Sequence, residues 1–125
     1  MKALSIHAPY IHDIITGSKK EEYRTWKPKE FGRILLCSSA KRYPGYASGY
    51  ALCTVEVTDI RNYPGEGPNG RMLYGWVLKN IEYIEPFPVK GKLHLFDVDD
   101  SLIKTIKGIN RKHFLREYYT QIIEP

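Results

Sequence analysis

The chain is short of cysteine and of long apolar runs. Cys37 and Cys53 are the only two thiols in 125 residues, too few for a disulfide framework, and no second Cys or His stands at zinc-finger spacing from either. Both are expected as reduced core residues. No apolar stretch approaches the roughly 18–20 residues needed to span a bilayer, and Met1 to Ser5 lacks the basic region and apolar run of a secretory signal. The expectation is a cytoplasmic protein without membrane contact. No phosphate-binding G-x-x-x-x-G-K-[ST] or dinucleotide fingerprint occurs, and Ser38 and Ser39 stand in no glycine-flanked elbow, which argues against an NTPase or a serine hydrolase. Repeats and low-complexity segments are missing too. What remains, 42% hydrophobic and 26% charged residues, is the composition of one globular domain able to bury a core.

The basic residues are unevenly placed. The formal charge is +5, and residues 19–42 alone carry eight basic against three acidic side chains, whereas residues 43–100 carry five against eight and residues 101–125 five against two. Local positive charge suggests a polyanionic partner, with RNA or DNA ahead of a membrane because no long basic amphipathic stretch dominates. Ten Tyr, four Phe and two Trp supply stacking surfaces for unpaired bases, although Tyr also fills small β cores.

Hydrophobic periodicity predicts a β-α opening: a strand at Leu4 to Ile6, then a helix with Pro9 in its first turn and Ile11, Ile14 and Ile15 on one face, stopped by Gly17. Glu21 to Trp26 reads as extended, with Glu22, Arg24 and Trp26 on one face and Glu21, Tyr23 and Thr25 on the other. Arg33 to Ser39 suits a strand buried on both sides. Tyr50 to Ile60 alternates, Ala51, Cys53, Val55 and Val57 against Leu52, Thr54, Glu56 and Thr58. Further strands are expected from Leu73 to Ile84, broken at Pro86 and Pro88, and from Leu93 to Val98. Ser101 can cap a short helix with Leu102, Ile103 and Ile106, ended by Gly108, and Asn110 a final one presenting Phe114, Leu115, Tyr118 and Ile122. These elements predict an α+β, mainly β fold: a small β-barrel with an N-terminal helix and C-terminal helices.

The most informative stretch is Gly17-Ser-Lys-Lys-Glu-Glu-Tyr-Arg-Thr-Trp26. It places Lys19, Glu22 and Arg24 within one turn and the start of one strand, where Glu22 can accept from both cations and leave donors for a phosphate or base edge. The same residues also fit a solvated surface cluster of little energetic weight. A catalytic version, with Lys19 as base or nucleophile and Glu22 as its acid/base partner, needs a dry pocket that sequence does not reveal. His7 and His12 lie five apart, off the helical spacing that pairs metal ligands, so no metal and no cofactor is expected.

Three blocks, Ala3 to Tyr10, Gly17 to Trp26 and Gly32 to Lys41, closely resemble the ASCH domain family in order and spacing. The family's G-x-K-x-x-E-x-R hallmark is matched by Gly17, Lys19, Glu22 and Arg24, and Tyr50 to Ile60, Trp76 to Asn80 and Pro86 to Phe96 look like its later strands. The likeness covers roughly residues 1–100, with residues 101–125 as a helical extension expected to pack on the same domain. The resemblance implies a PUA-like barrel whose cleft is lined by the hallmark residues and binds nucleic acid, chiefly RNA. It implies two alternatives as well: an amidohydrolase acting on N4-acetylcytidine-type nucleosides, and a ribonuclease. In the amidohydrolase branch a threonine stands where this chain has Glu22, which counts against a hydroxyl nucleophile here.

The leading expectation is therefore binding of RNA or a nucleotide-like ligand, such as a modified nucleoside. Lys19 and Arg24 would contact phosphate or base, Glu22 would orient them, and Tyr10, Trp26 and Lys41 would line the cleft. A monomer is favoured. An acidic-peptide module is the competing binding function.

Overall fold

The computed structural model of the chain describes residues 1–123. Six strands, β1 (Lys2–Ile6), β2 (Glu21–Arg24), β3 (Gly32–Ser38), β4 (Tyr50–Tyr63), β5 (Leu73–Pro88) and β6 (Leu95–Asp97), form one sheet in the order β2-β5-β4-β3-β1-β6. Only β1 and β3 run parallel; the other neighbours are antiparallel. The sheet curls into a half-barrel, with helix α1 (Ala8–Ile15) after β1 and helix α2 (Arg111–Glu117) near the C-terminus. The mainly β barrel expected from sequence is therefore present.

The β1–α1 unit forms as its residues dictate. Pro9 sits in the first turn of α1, where its missing N–H costs nothing, and Ile11, Ile14 and Ile15 are all buried. Gly17 ends the helix at φ +87°, a left-handed conformation that L side chains rarely adopt, and its N–H donates to the Ile14 carbonyl. That turn delivers Lys19 to the start of β2.

Alternation divides the core between the sheet's two faces. Leu4, Ile6, Ile34 and Leu36 join α1, Trp76, Phe114 and Tyr119 in one cluster, while Ala3, Leu35 and Cys37 join Ile84, Phe96 and Val98 in another. Both faces of β1 and β3 are thus covered, which accounts for the unbroken apolar run of β3. Burial pushes the Cys37 thiol up to about 12 and the Cys53 thiol higher still.

Four expectations need correction. The alternation of β4 holds for Cys53, Val55 and Val57, which share one cluster, but the pairing with β5 slips between Ala51 and Cys53, so Leu52 joins that cluster while Ala51 packs on the other face, and Thr54 is buried as well. β5 does not break at Pro86 but runs to Pro88; β2 pairs only with Tyr74 to Val77, so no strand beyond β5 asks the prolines for an N–H. β6 covers only Leu95 to Asp97, and His94 before it adopts φ +58°. The expected helix over Leu102 to Ile106 is instead a single 3-10 turn, Asp100–Leu102, followed by extended chain: Thr105 bridges Ile84, and the Ile106 N–H donates to the Tyr83 carbonyl.

The residues beyond 100 close the same core. Phe114 is buried and stacks on Tyr83 at 4.6 Å, and the Tyr119 hydroxyl accepts from the Ala47 N–H at 2.9 Å. Asn110 caps α2 by accepting from the His113 N–H at 2.8 Å. Among the described residues, no helix is long and apolar enough to cross a membrane.

Candidate functional site

Strand β2 is an edge of the sheet, and its alternation sends adjacent glutamates to opposite faces. Glu21 lies on one face, accepting from the Tyr63 hydroxyl at 2.9 Å and pairing with Arg61 at 3.5 Å. That bond holds the Tyr63 phenol above its ordinary value. Glu21 reaches Tyr63 only because Gly75, opposite Tyr23 in the ladder, has no side chain: a Cβ there would collide with the Glu21 carboxylate and the Tyr63 ring.

Glu22 points the other way, across the ladder from Trp76, and is only 6% exposed. A buried carboxylate needs partners, and this one has three. Its Oε1 accepts from the Tyr23 N–H at 3.0 Å and lies 3.9 Å from the Lys19 Nζ, and its Oε2 accepts from the Arg24 Nη2 at 3.2 Å. One carboxylate thus holds two cations, leaving a formal positive charge uncompensated at the mouth of the site. Arg24 uses the same Nη2 to donate to the Ser5 carbonyl at 3.0 Å. β6 pairs with β1 only from Lys2 to Leu4, so the arginine reaches β1 just beyond the last paired residue and bridges the two sides of the half-barrel.

Lys19 stands just before the edge strand and reaches both of its faces. Its Nζ lies 4.6 Å from the Tyr23 ring centroid and 5.7 Å from that of Tyr10, which is 54% exposed. Lys19, Glu22, Arg24 and Tyr10 therefore converge. A cavity of about 620 Å³ opens beside Lys19 but lies towards Lys20, Arg61 and Lys79 rather than Glu22 and Arg24. Position relative to the charged residues, not cavity size, marks the candidate site.

The other two expected residues lie apart from this cluster. Trp26 turns towards the core: its carbonyl accepts from the Trp76 Nε1 at 3.1 Å, its ring meets Trp76 edge-on at 5.0 Å, and His94 packs on it at 4.5 Å. It lines a separate groove of about 480 Å³. Lys41 lies over the Tyr43 ring at 5.3 Å, next to a pair formed by His7 Nδ1 and Ser39 Oγ at 2.9 Å.

Sequence reasoning missed Tyr23, the Ser5 carbonyl and the His7–Ser39 pair. Strand alternation put Tyr23 on the face away from Glu22, and only the turn at Gly17 shows that Lys19 can touch both. The Ser5 carbonyl depends on the sheet curling until β2 meets β1, and the His7–Ser39 pair on β1 and β3 lying side by side, neither of which a local pattern records. Among the described residues, no group of three or more His, Cys, Asp or Glu side chains is placed to hold a metal.

No curated protein matches the chain. The family model of the ASCH domain matches residues 4–120, from β1 past α2 and so beyond residue 100, and includes all of the charged cluster. By that match the chain belongs to the ASCH domain family, which is PUA-like and generally related to nucleic acids.

Proposed function

We propose that this protein binds RNA, or a nucleotide-like ligand, at the cluster formed by Lys19, Arg24, Glu22 and Tyr10. The observation that carries the reading is the buried Glu22 carboxylate tying together two cations, Lys19 and Arg24, whose own side chains are 19% and 26% exposed. Held in this way, the cations lose little freedom when an anion arrives. Among the described residues Arg24 spends only Nη2 on protein acceptors, so Nη1 and Nε can face a phosphate or a base edge. Tyr10 offers an exposed ring beside them. Titration of a labelled single-stranded RNA at increasing salt tests this. Binding at low salt that weakens in Lys19→Ala/Arg24→Ala is expected; no binding at low salt, or binding indifferent to both substitutions, contradicts it.

A second reading uses the same residues for hydrolysis of an N4-acetylcytidine-type nucleoside. The observation favouring it is a partly buried amine 3.9 Å from a carboxylate, a distance from which Glu22 could exchange a proton through a small adjustment. Product analysis after incubation with N4-acetylcytidine decides between them. Turnover abolished by Lys19→Ala supports the hydrolase, and no turnover by the unmodified protein removes it.

A further inference from the structure

The groove beside Trp26 combines aromatic surface with basic charge outside the Glu22 cluster. Trp76, Trp26 and His94 form a series of ring contacts that rises from the core to solvent, Trp76 meeting Trp26 edge-on and His94 lying tilted against Trp26: Trp76 is wholly buried, Trp26 partly, and His94 is exposed. His94 stands at the outer end of this series through a left-handed backbone, φ +58°, which is uncommon for a non-glycine residue, with its ring against Trp26. Phe31 lines the same groove and is 55% exposed, a large apolar surface that the fold leaves uncovered.

The rim is basic. Lys2, Lys27, Lys29 and Arg33 line the groove, with Glu30 as its one acidic side chain. Arg33 is occupied by Glu56, Thr54 and the Asn80 carbonyl, and Lys2 by Asp97. Lys29 has no ion-pair partner among the described residues, and Lys27 lies over the Tyr74 ring at 5.5 Å without a carboxylate. Stacking surfaces flanked by uncompensated lysines match the two halves of a nucleotide, its π-face and its phosphate.

From this placement we infer that the Trp26–His94–Phe31 groove is a base-stacking subsite, and that the nucleic acid taken by this protein is single-stranded. The inference rests on the reading of the Lys19–Arg24 cluster as a nucleic-acid site and extends it. The two places are linked by the chain and by Trp76: Trp26 follows Arg24, the last residue of β2, by two positions, and Trp76 is at once the ladder partner of Glu22 and the ring that meets Trp26 edge-on. A strand whose phosphates meet Lys19 and Arg24 can lay its next bases towards His94 and Phe31. A duplex keeps its bases stacked on each other and cannot use these rings.

The experiment measures affinity for a short mixed-sequence RNA and for the same strand annealed to its complement, with Trp fluorescence as the local readout. Trp26 lies under the subsite and Trp76 is buried beneath it, so quenching by the single strand that disappears in Trp26→Phe reports occupancy of the groove. His94→Ala and Phe31→Ala are each expected to weaken single-strand binding about tenfold. Phe31 is exposed, so the Phe31→Ala variant should keep its melting temperature. The duplex should bind more weakly than the single strand. Equal affinity for duplex and single strand, or full affinity in both alanine variants while Lys19→Ala/Arg24→Ala binds poorly, overturns the subsite and leaves the charged cluster standing. Failure of the unmodified protein to bind any RNA overturns both.

Discussion

Arg24 and Arg33 carry the same group at similar exposure, 26% and 23%, each paired with a glutamate. Arg33 uses two nitrogens on three acceptors: Nη1 donates to Thr54 Oγ1 at 3.0 Å, and Nη2 donates to Glu56 Oε1 at 3.1 Å and to the Asn80 carbonyl at 2.9 Å. It ties β3, β4 and β5 together. Arg24 uses one nitrogen on two acceptors, and its glutamate is shared with Lys19. The difference lies in what surrounds each carboxylate. Glu56 is 42% exposed and answers one cation, whereas Glu22 is 8% exposed in its side chain and answers two. A guanidinium that ties three strands together through an exposed glutamate serves the sheet; under the proposed function, the one held by a buried, shared carboxylate, with Nη1 and Nε making no hydrogen bond among the described residues, is the one that meets the ligand.

Exchanging the two arginines' fates breaks this comparison most strongly. Lys19→Ala/Arg24→Ala should lower RNA affinity about 100-fold, since each removes a charge-assisted contact worth roughly tenfold or more. Arg33→Ala, which removes a rim residue already engaged by Glu56, Thr54 and Asn80, should change affinity by no more than about threefold and cost about 1–2 kcal/mol of stability, read as a lower melting temperature. The charged cluster can be taken apart more finely with Glu22→Gln. This change makes the site more positive, so attraction by charge alone would tighten RNA binding. If Glu22 acts by positioning Lys19 and Arg24, affinity should instead fall by about threefold to tenfold. Lys41→Ala, at a residue that stacks on Tyr43 away from the cluster, should change affinity by no more than about threefold.

How much of this was legible beforehand varied with how local its cause is. Pro9, the isoleucine spacing and Gly17 specify α1 and its end without reference to the rest of the chain, and the parity of β2 put Glu22 and Arg24 on one face. Pro86 and Pro88 misled because whether a strand tolerates proline depends on whether a neighbour needs its N–H, a property of sheet order. Leu102, Ile103 and Ile106 have helical spacing but lie where extended chain can bond to Tyr83 and Ile84 of β5. Nothing in the spacing of charges separates Arg24 from Arg33. That distinction arises from Asn80 and Thr54 meeting one guanidinium and Ser5 the other, contacts 19 to 47 residues apart.

The smallest effect concerns the background on which both arginines act. Cys37 is held neutral in the fold, its pKa moved from 9.0 to about 12, and Cys53 is shifted the same way. The folded state therefore binds more protons than the unfolded one above about pH 9, and stability falls as pH rises from there towards 12. Denaturant melts between pH 8 and pH 10.5 should show this decline with the same slope in the unmodified protein and in Arg33→Ala. Cys37→Ala/Cys53→Ala should make it shallower, most of all below pH 10, and the raised Tyr63, Tyr83 and Tyr119 phenols account for the decline that remains.

The salt dependence of single-stranded RNA binding tests the central claim most directly, compared among the unmodified protein, Lys19→Ala/Arg24→Ala and Arg33→Ala. Each phosphate neutralised on a single strand contributes about 0.7 to the slope of log affinity against log salt. Loss of Lys19 and Arg24 should make that slope shallower by about 1.4, whereas loss of Arg33 should leave it unchanged. A slope that is the same in all three proteins, or that falls as far in Arg33→Ala as in the double variant, would contradict the assignment of the ligand to the Glu22-centred cluster.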